Sequence, residues 1–272
     1  MSTRWLKMVF LAIPMIVAGY SFGRICQRMS VAYPLLLAPS RELLTLLLWL
    51  LLALAFIAVS AGVVAALLRP VWVAFVAFAL SGLALLLGWE VTLRSAILAL
   101  FYMLTGAAYA VGTEGELKQR IKFSVRPVAD GQSILIIVLL IVAIGGFYFG
   151  SAEHIKRKGF LIPEQYMTKF TGEMAKGIAV QLPAGQREKI QSEIRKQSQR
   201  VLDDLLARWV KPFEQYVPLI VALSLFMPLL TITRLLTWVP MLILGGVFPL
   251  LTAIGLTRVA TGTVEVERLV IS

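Results

Sequence analysis

The sequence predicts an all-α polytopic membrane protein with about seven transmembrane helices. Of its 272 residues, 59% are hydrophobic and only 15% are charged, whereas a soluble domain has roughly 25% charged residues. Long uncharged stretches approach or exceed the roughly 20 residues that cross a hydrocarbon core of ~30 Å. They predict spans at about 8–23, 43–68, 71–89, 95–112 and 131–152, and two more within the proline-rich hairpin 215–257.

The first stretch, Met8 to Gly23, starts behind Arg4 and Lys7 and resembles a signal peptide in that respect. A secretory cleavage site needs small residues, and Tyr20 to Arg24 does not supply them convincingly. We therefore interpret the stretch as an uncleaved first helix. Whether it is cleaved is left open by the sequence.

Two short polar interruptions predict turns between the early spans. Arg69 and Pro70 mark a tight hairpin, because proline cannot continue the preceding helix without losing a hydrogen bond. Glu90 and Arg94 are four residues apart and could pair on one helical face. We interpret them as the next turn, and a buried gate pair is the alternative.

Small residues form stripes at helical spacing within the spans. One runs along the third span, and neighbouring spans carry similar stripes. Close backbone approach at small residues is a usual basis of helix association in lipid. The sequence thus predicts a close-packed unit of the second, third and fourth spans. The stripes are Ala74, Ala77, Ser81, Ala84 and Gly88 in the third span, Ala55, Ala58, Gly62 and Ala65 in the second, and Ala96, Ala99, Gly106 and Ala110 in the fourth.

The connector 113–130 and the tail 258–272 contain strand-prone segments. Lys118 to Arg126 is basic, Thr263 to Ile271 carries Glu265 and Glu267, and polar residues alternate with apolar ones in both. The two segments could pair across strands. Three predicted spans separate them, however, and an odd number of crossings puts them on opposite sides of the membrane. We therefore expect no pairing within one chain.

Residues 153–214 form the one extramembrane segment of domain size, and their pattern predicts a helical hairpin. Its helices are expected at Pro163 to Gln181 and Gln186 to Val210. Pro163 suits the first turn of a helix. The segment begins with the basic run from His154 to Lys158, where we expect His154 to be a solvated loop residue; a pH-sensing role is the alternative.

The final hairpin 215–257 is predicted to turn around Thr231 to Arg234. Prolines interrupt both arms, and bent helices of this kind line substrate sites in some transporters. Proline is also simply commoner in membrane helices than in soluble ones, and we favour that interpretation. The prolines are Pro218, Pro228, Pro240 and Pro249.

The chain has one histidine, His154, and one cysteine, Cys26, so clusters with metal-ligand spacing and internal disulfides are excluded. Phosphate-binding, nucleophile-elbow and zinc-protease motifs are absent. No catalytic, cofactor-binding or metal site is predicted, and the chain is not expected to be an enzyme. No carboxylate lies in the middle of a span, which disfavours proton-coupled transport.

The net charge of +11 indicates basic loops against anionic lipid headgroups and no nucleic-acid partner. Basic residues in the short loops favour an inside N-terminus, and those flanking the long loop favour the reverse, so the orientation is left open. The expected location is a bacterial-type cytoplasmic membrane, with multiple crossings.

The expected function is that of a structural or scaffold subunit in a membrane assembly, which includes a second copy or another membrane protein. One alternative is a transporter or channel subunit that is not proton-coupled. The least favoured alternative is a lipid-modifying enzyme.

Overall fold

The computed structural model describes residues 3–33, 41–118, 125–158 and 211–257. These ranges contain helices and turns and no strand, which confirms the predicted all-α class. A short 3₁₀ helix, Lys211–Tyr216, leads into the sixth α-helix. The α-helices of these ranges are α1 Thr3–Ser30, α2 Arg41–Leu67, α3 Val71–Gly88, α4 Leu93–Lys118, α5 Arg126–Lys158, α6 Val217–Leu235 and α7 Trp238–Ala253.

Each predicted span coincides with one of these helices. Helices α1 to α6 are long and apolar enough to cross a membrane, whereas α7 has only 16 residues. Helix α5 has 33 residues, which at 1.5 Å per residue is roughly 50 Å and exceeds the ~30 Å hydrocarbon core. The described chain therefore has the helices of a multi-pass membrane protein.

Three helices run well beyond their uncharged stretches, and the first is α1, which extends from Thr3 to Ser30. Helix α4 continues to Lys118, and α5 extends from Arg126 to Lys158. Ion pairs between residues four apart support both extensions: Glu114 to Lys118 at 3.1 Å and Glu153 to Arg157 at 2.9 Å. The predicted connector is thus helical at both ends.

Three further predictions lie outside the described residues. They are the hairpin helices Pro163 to Gln181 and Gln186 to Val210, the strand-prone residues 119–124, and the tail segment Thr263 to Ile271.

The turn between α3 and α4 ends in a reciprocal helix cap. The Thr92 side chain accepts a hydrogen bond from the Ser95 backbone N–H at 3.2 Å, and Ser95 Oγ accepts one from the Thr92 N–H at 2.9 Å. This arrangement satisfies donors that the first turn of a helix leaves unpaired. Glu90 precedes the cap and Arg94 lies in the first turn of α4, both exposed, which confirms that they mark a turn.

The break between α6 and α7 lies later than predicted. Residues Thr231 to Arg234 continue α6, and the interruption is at Leu236 and Thr237. The Thr231 and Thr233 hydroxyls donate to carbonyls four residues earlier, so these polar residues do not need a turn. Thr237 itself has helical backbone angles, with φ −59° and ψ −26°.

The helices divide between two compact units. Of the described residues, the first comprises 3–27, 48–118, 125–143 and 227–257, and the second comprises 28–33, 41–47, 144–158 and 211–226. The helix contacts described below each lie within one unit.

The small-residue stripe of α3 is an interior surface of the first unit, since all five of its residues are buried. On one side it meets α1: a Cβ on Gly88 would clash with the Tyr20 carbonyl, and one on Gly19 would clash with Ser81. On the other side α4 approaches, where a Cβ on Gly106 would enter the Phe78 ring.

The expected α4 partner is therefore confirmed, and α1 is a close partner of α3 that the small-residue pattern did not predict. Gly62 of α2, expected to face α3, lies against Gln132 and Val128 of α5 and Leu244 of α7. The reason is that a stripe of small residues indicates an interface but does not specify its partner.

We expect Ala77→Leu and Ser81→Leu each to destabilise the protein. Both side chains are buried at close helix contacts, and overpacking typically costs about 1–3 kcal/mol. Thermal unfolding in detergent should show lower midpoints for both variants. The control is Val76→Leu, which adds a methylene to an exposed position of the same helix. Midpoints equal to that of the control would mean that the stripe faces lipid.

Candidate functional site

The polar side chains buried in the described part of the chain are all uncharged. They are hydroxyls and one amide: Ser60, Ser81, Ser95, Thr113, Gln132, Ser151 and Thr233. In an apolar interior such groups are costly unless they are hydrogen-bonded. Two clusters of them join different helices of the first unit, and these are the candidate site.

The first cluster, here called the Ser81 cluster, joins α1, α3 and α4. Ser81 Oγ donates to the Met15 carbonyl at 2.9 Å and lies 3.0 Å from the Tyr102 hydroxyl. Because a serine hydroxyl has one proton, Tyr102 is the donor in the second bond. The Tyr102 ring packs edge-on against Phe78, with 6.3 Å between the ring centroids.

The second cluster, here called the Gln132 cluster, joins α2, α4 and α5. Gln132 Nε2 donates to the Ala58 carbonyl at 2.7 Å, and the Tyr109 hydroxyl donates to the Val128 carbonyl at 2.9 Å. Thr113 lies one helical turn beyond Tyr109 on α4 and is 3% exposed. Both hydrogen bonds cross between helices, so the cluster fixes their register.

The three inter-helix bonds to carbonyls share one arrangement. Ser81 bonds the carbonyl four residues before Gly19, and Gln132 bonds the carbonyl four residues before Gly62. Tyr109 bonds the carbonyl three residues before Gly131. At Gly62 and Gly131 the donor side chain occupies the place that a Cβ of the glycine would need, and at Gly19 the backbone carbonyl and the hydroxyl of Ser81 occupy it together.

The geometry of the α-helix explains this repetition. Every Cα–Cβ bond tilts toward the N-terminus of its helix, so a side chain covers the turn that precedes it. A glycine leaves the carbonyls of that turn accessible to a side chain from a neighbouring helix. Each carbonyl oxygen has a second lone pair for the additional bond.

A group of charged side chains continues the Gln132 cluster along α4. Glu114 pairs with Arg69 of the α2–α3 turn at 2.9 Å and with Lys118 at 3.1 Å. The Glu114 side chain is 19% exposed and that of Lys118 is 74% exposed. The charges thus lie at the helix ends, where water reaches them.

His154 lies in a helix and not in a solvated loop, so that prediction was wrong. It belongs to α5 in the second unit, is half-buried, and its ring centroid lies 5.3 Å from that of Tyr33. The basic run around it resembled the start of a loop, but the Glu153–Arg157 pair continues the helix. Cys26 is buried in α1.

Comparison of the chain with protein families, curated proteins and solved structures finds no match. Its function must therefore be inferred from its own geometry. The hydroxyls and the amide of the two clusters bind the backbone of neighbouring helices, an arrangement suited to holding helices together.

Four of the residues in these clusters were not identified from the sequence: Tyr102, Tyr109, Thr113 and Gln132. One signal was present. Tyr102 and Tyr109 are seven residues apart within the uncharged stretch of the fourth span, which puts both on one helical face.

We expect Gly62→Ala and Gly245→Ala to change stability in opposite directions. A Cβ on Gly62 would lie 2.6 Å from Gln132 Nε2 and 2.7 Å from Leu244 Cδ1, so alanine must displace the amide from its hydrogen bond. In the described part of the chain no atom lies within 4 Å of a Cβ on Gly245, where alanine should add up to about 1 kcal/mol through lower backbone entropy.

Thermal unfolding of both variants in detergent measures the difference. Equal midpoints for the two alanine variants would contradict the role of Gly62 in the Gln132 cluster.

Proposed function

We propose that this chain is a structural subunit of a membrane assembly that contains at least a second copy of the chain, in a cytoplasmic membrane of the bacterial type. The observation that carries the proposal is the contrast between two groups of glycines in its helices. Contacts among the described residues explain one group and do not explain the other.

The internal glycines each accommodate a neighbouring helix, as described for Gly19, Gly62 and Gly106. At four glycines of α4 and α7, by contrast, no atom of residues 3–33, 41–118, 125–158 or 211–257 lies within 4 Å of the position that a Cβ would take. These open glycines are Gly112, Gly115, Gly245 and Gly246.

A glycine within a helix costs roughly 0.5–1 kcal/mol relative to alanine. A helix from another subunit would offset this cost at the open glycines, because small residues four apart let two helices approach closely in lipid. Ala108 and Gly112 have this spacing and are both exposed on α4. The uncharged buried clusters, all bound to backbone groups, suit the same structural role.

A transporter or channel subunit is the second candidate. The interrupted pair α6 and α7 favours it, since each helix contains an internal proline, Pro228 or Pro249. Discontinuous helices are typical of substrate sites in transporters. Conductance or uptake that depends on this pair, in vesicles containing the pure chain, would favour this candidate over a structural role.

The proposal includes six membrane crossings in place of the seven predicted from the sequence. Four contacts support regular alternation of α1 to α5. Trp5 and Trp72, near the starts of α1 and α3, have ring centroids 6.0 Å apart. Arg69, after α2, pairs with Glu114 near the end of α4.

The other two contacts join the opposite helix ends. The end of α3 at Gly88 meets α1 at Tyr20, and a Cβ on Gly150 of α5 would clash with the Ser30 carbonyl at the end of α1. Helices α1 to α5 thus account for five crossings.

One hydrogen bond supports six crossings over seven. Lys7 Nζ, near the start of α1, donates to the Gly255 carbonyl after α7 at 2.7 Å. This contact supports a position of both ends at the same face of the membrane. Two ends at the same face require an even number of crossings between them. Helices α6 and α7 would therefore contribute one crossing between them, in agreement with the shortness of α7.

With seven crossings, Lys118 to Arg126 and Thr263 to Ile271 lie on opposite sides of the membrane. Six crossings put the two segments on the same side. With an even number, the tail begins on the face at which α4 ends. Residues 119–124 and the whole segment Thr263 to Ile271 lie outside the described residues, so the expectation that the two segments do not pair within one chain stays an untested prediction.

Cysteine labelling tests the crossing number. In a Cys26→Ser background, we expect Lys118→Cys and Thr257→Cys to react alike with an impermeant thiol reagent in intact cells, and Glu90→Cys to react oppositely. Each variant is labelled again after lysis as the control for accessibility. A Thr257→Cys that behaves like Glu90→Cys would restore the seven-crossing arrangement.

Self-association in lipid vesicles tests the structural role. We expect the double variant Gly112→Leu, Gly115→Leu to associate at least about tenfold more weakly, as the loss of ~1.4 kcal/mol of close contact would produce. Energy transfer between labelled copies measures the association. Val76→Leu is the matched control on another exposed face. A wild-type chain that stays monomeric at all protein-to-lipid ratios would overturn the proposal.

A further inference from the structure

Helix α7 is shorter than a membrane crossing and too apolar to lie in water. It has 16 residues, which at 1.5 Å per residue is roughly 24 Å against the ~30 Å hydrocarbon core. The chain carries no charged residue from Leu235 to Thr257. Among the described residues, only one line of α7 side chains is buried: Pro240, Leu244, Phe248 and Leu251. The rest of the helix surface therefore needs an apolar environment.

The end of α7 lies at the membrane face where α1 begins. Lys7 Nζ donates to the Gly255 carbonyl at 2.7 Å, and Gly255 follows the helix with a φ of 74°. A cation suits this position because the C-terminal end of a helix carries partial negative charge. Trp5, two residues before Lys7, contacts Trp72 at the start of α3, and tryptophan prefers the membrane interface. The end of α7 is thus at the depth of this interface.

The middle of α7 lies at nearly the same depth. A Cβ on Gly62 of α2 would lie 2.7 Å from Leu244 Cδ1 and 3.1 Å from Val128 Cγ1. Since Gly62 is close to the end of α2 and Val128 to the start of α5, this contact is only ~8 Å below the interface. In a helix perpendicular to the membrane, the path from Leu244 to Gly255 would instead cover roughly 16 Å of depth. The axis of α7 is therefore strongly inclined to the membrane normal.

The two flanks of α7 differ in a way that suits a helix in the plane of the membrane. Trp238 and Thr252 lie on one flank, and both are exposed. At 100° per residue, the opposite flank carries exposed aliphatic side chains, namely Ile243, Leu250 and Ile254. In a helix at the interface, the side with tryptophan and a hydroxyl meets the headgroups, and the aliphatic side meets the acyl chains.

We propose that α7 lies within a single leaflet of the bilayer, on the side where α1 begins, with Ile243, Leu250 and Ile254 against lipid acyl chains. The exposed Arg234, four residues before α7, then stays at the same interface and meets the headgroups. This position deepens the proposed arrangement of six crossings, because a helix confined to one leaflet adds no crossing. It does not depend on the assembly of copies.

Two other arrangements predict different environments for the aliphatic flank. If α7 crosses the bilayer, Ile243 and Leu250 differ in depth by roughly 10 Å, since they are seven residues apart along the helix. If a second copy covers the flank, both positions are shielded from the lipid.

Spin labels on cysteine variants in lipid vesicles measure depth from the exposure of each label to oxygen and to a water-soluble nickel complex. In a Cys26→Ser background, we expect Ile243→Cys and Leu250→Cys to differ in depth by at most about 5 Å, as a strongly inclined helix requires. The matched controls, Ile97→Cys and Leu104→Cys, have the same spacing on the exposed face of α4 and should differ by about 10 Å.

A depth difference on α7 equal to that on α4 overturns the inference, and so does exclusion of oxygen from both α7 labels. Thr252→Cys should also be more exposed to the nickel complex than Ile254→Cys, and the reverse order would contradict the assignment of the flanks. Leu242→Cys, at another exposed position, replaces Ile243→Cys if that variant does not fold. The measurement at a low protein-to-lipid ratio gives the depth of α7 even for a chain that stays monomeric, so it is separate from the test of assembly.

Discussion

The packing of the first unit depends on one constraint: in lipid, helices have little hydrophobic reason to associate, so contact must come from close approach and hydrogen bonds. Glycines meet both needs at the same positions. Gly19, Gly62 and Gly131 let a neighbouring side chain approach the backbone and also uncover the carbonyl that this side chain binds. Shape and hydrogen bonding are therefore coupled, and a single added methyl group would disturb both.

This coupling explains why the interior contains polar residues without charges. A hydroxyl or an amide can satisfy a single uncovered carbonyl and leave no net charge to desolvate, whereas a buried carboxylate would need a cation as well. The charged residues of the same region, Arg69, Glu114 and Lys118, pair at the helix ends instead. Along α4, the buried side chains form neutral hydrogen bonds, and those at the helix end, which water reaches, form ion pairs.

The helices were predictable from the sequence because each uncharged stretch is long enough to cross a membrane, and the α3 stripe was predictable from its spacing. The partners were not. The Ser81 bond to Met15 joins residues 66 apart in sequence, and the Gln132 bond to Ala58 joins residues 74 apart, so no local pattern records them. The α6–α7 break was misplaced because Thr231 and Thr233, which resembled turn residues, bond within their own helix. His154 was misassigned because local charge was given more weight than helix continuity.

Glycines on the outer surface of α4 support the assembly proposal. If a glycine is retained in a helix because it uncovers a carbonyl or admits a neighbour, then the described residues do not explain Gly112 and Gly115. An outward glycine that merely reflected composition would be equally common on every helix. In α3 both glycines, Gly82 and Gly88, are instead buried against neighbours. In the interior, these small residues lie at contacts between helices. A helix of a second copy packed against α4 would place Gly112 and Gly115 at such a contact as well.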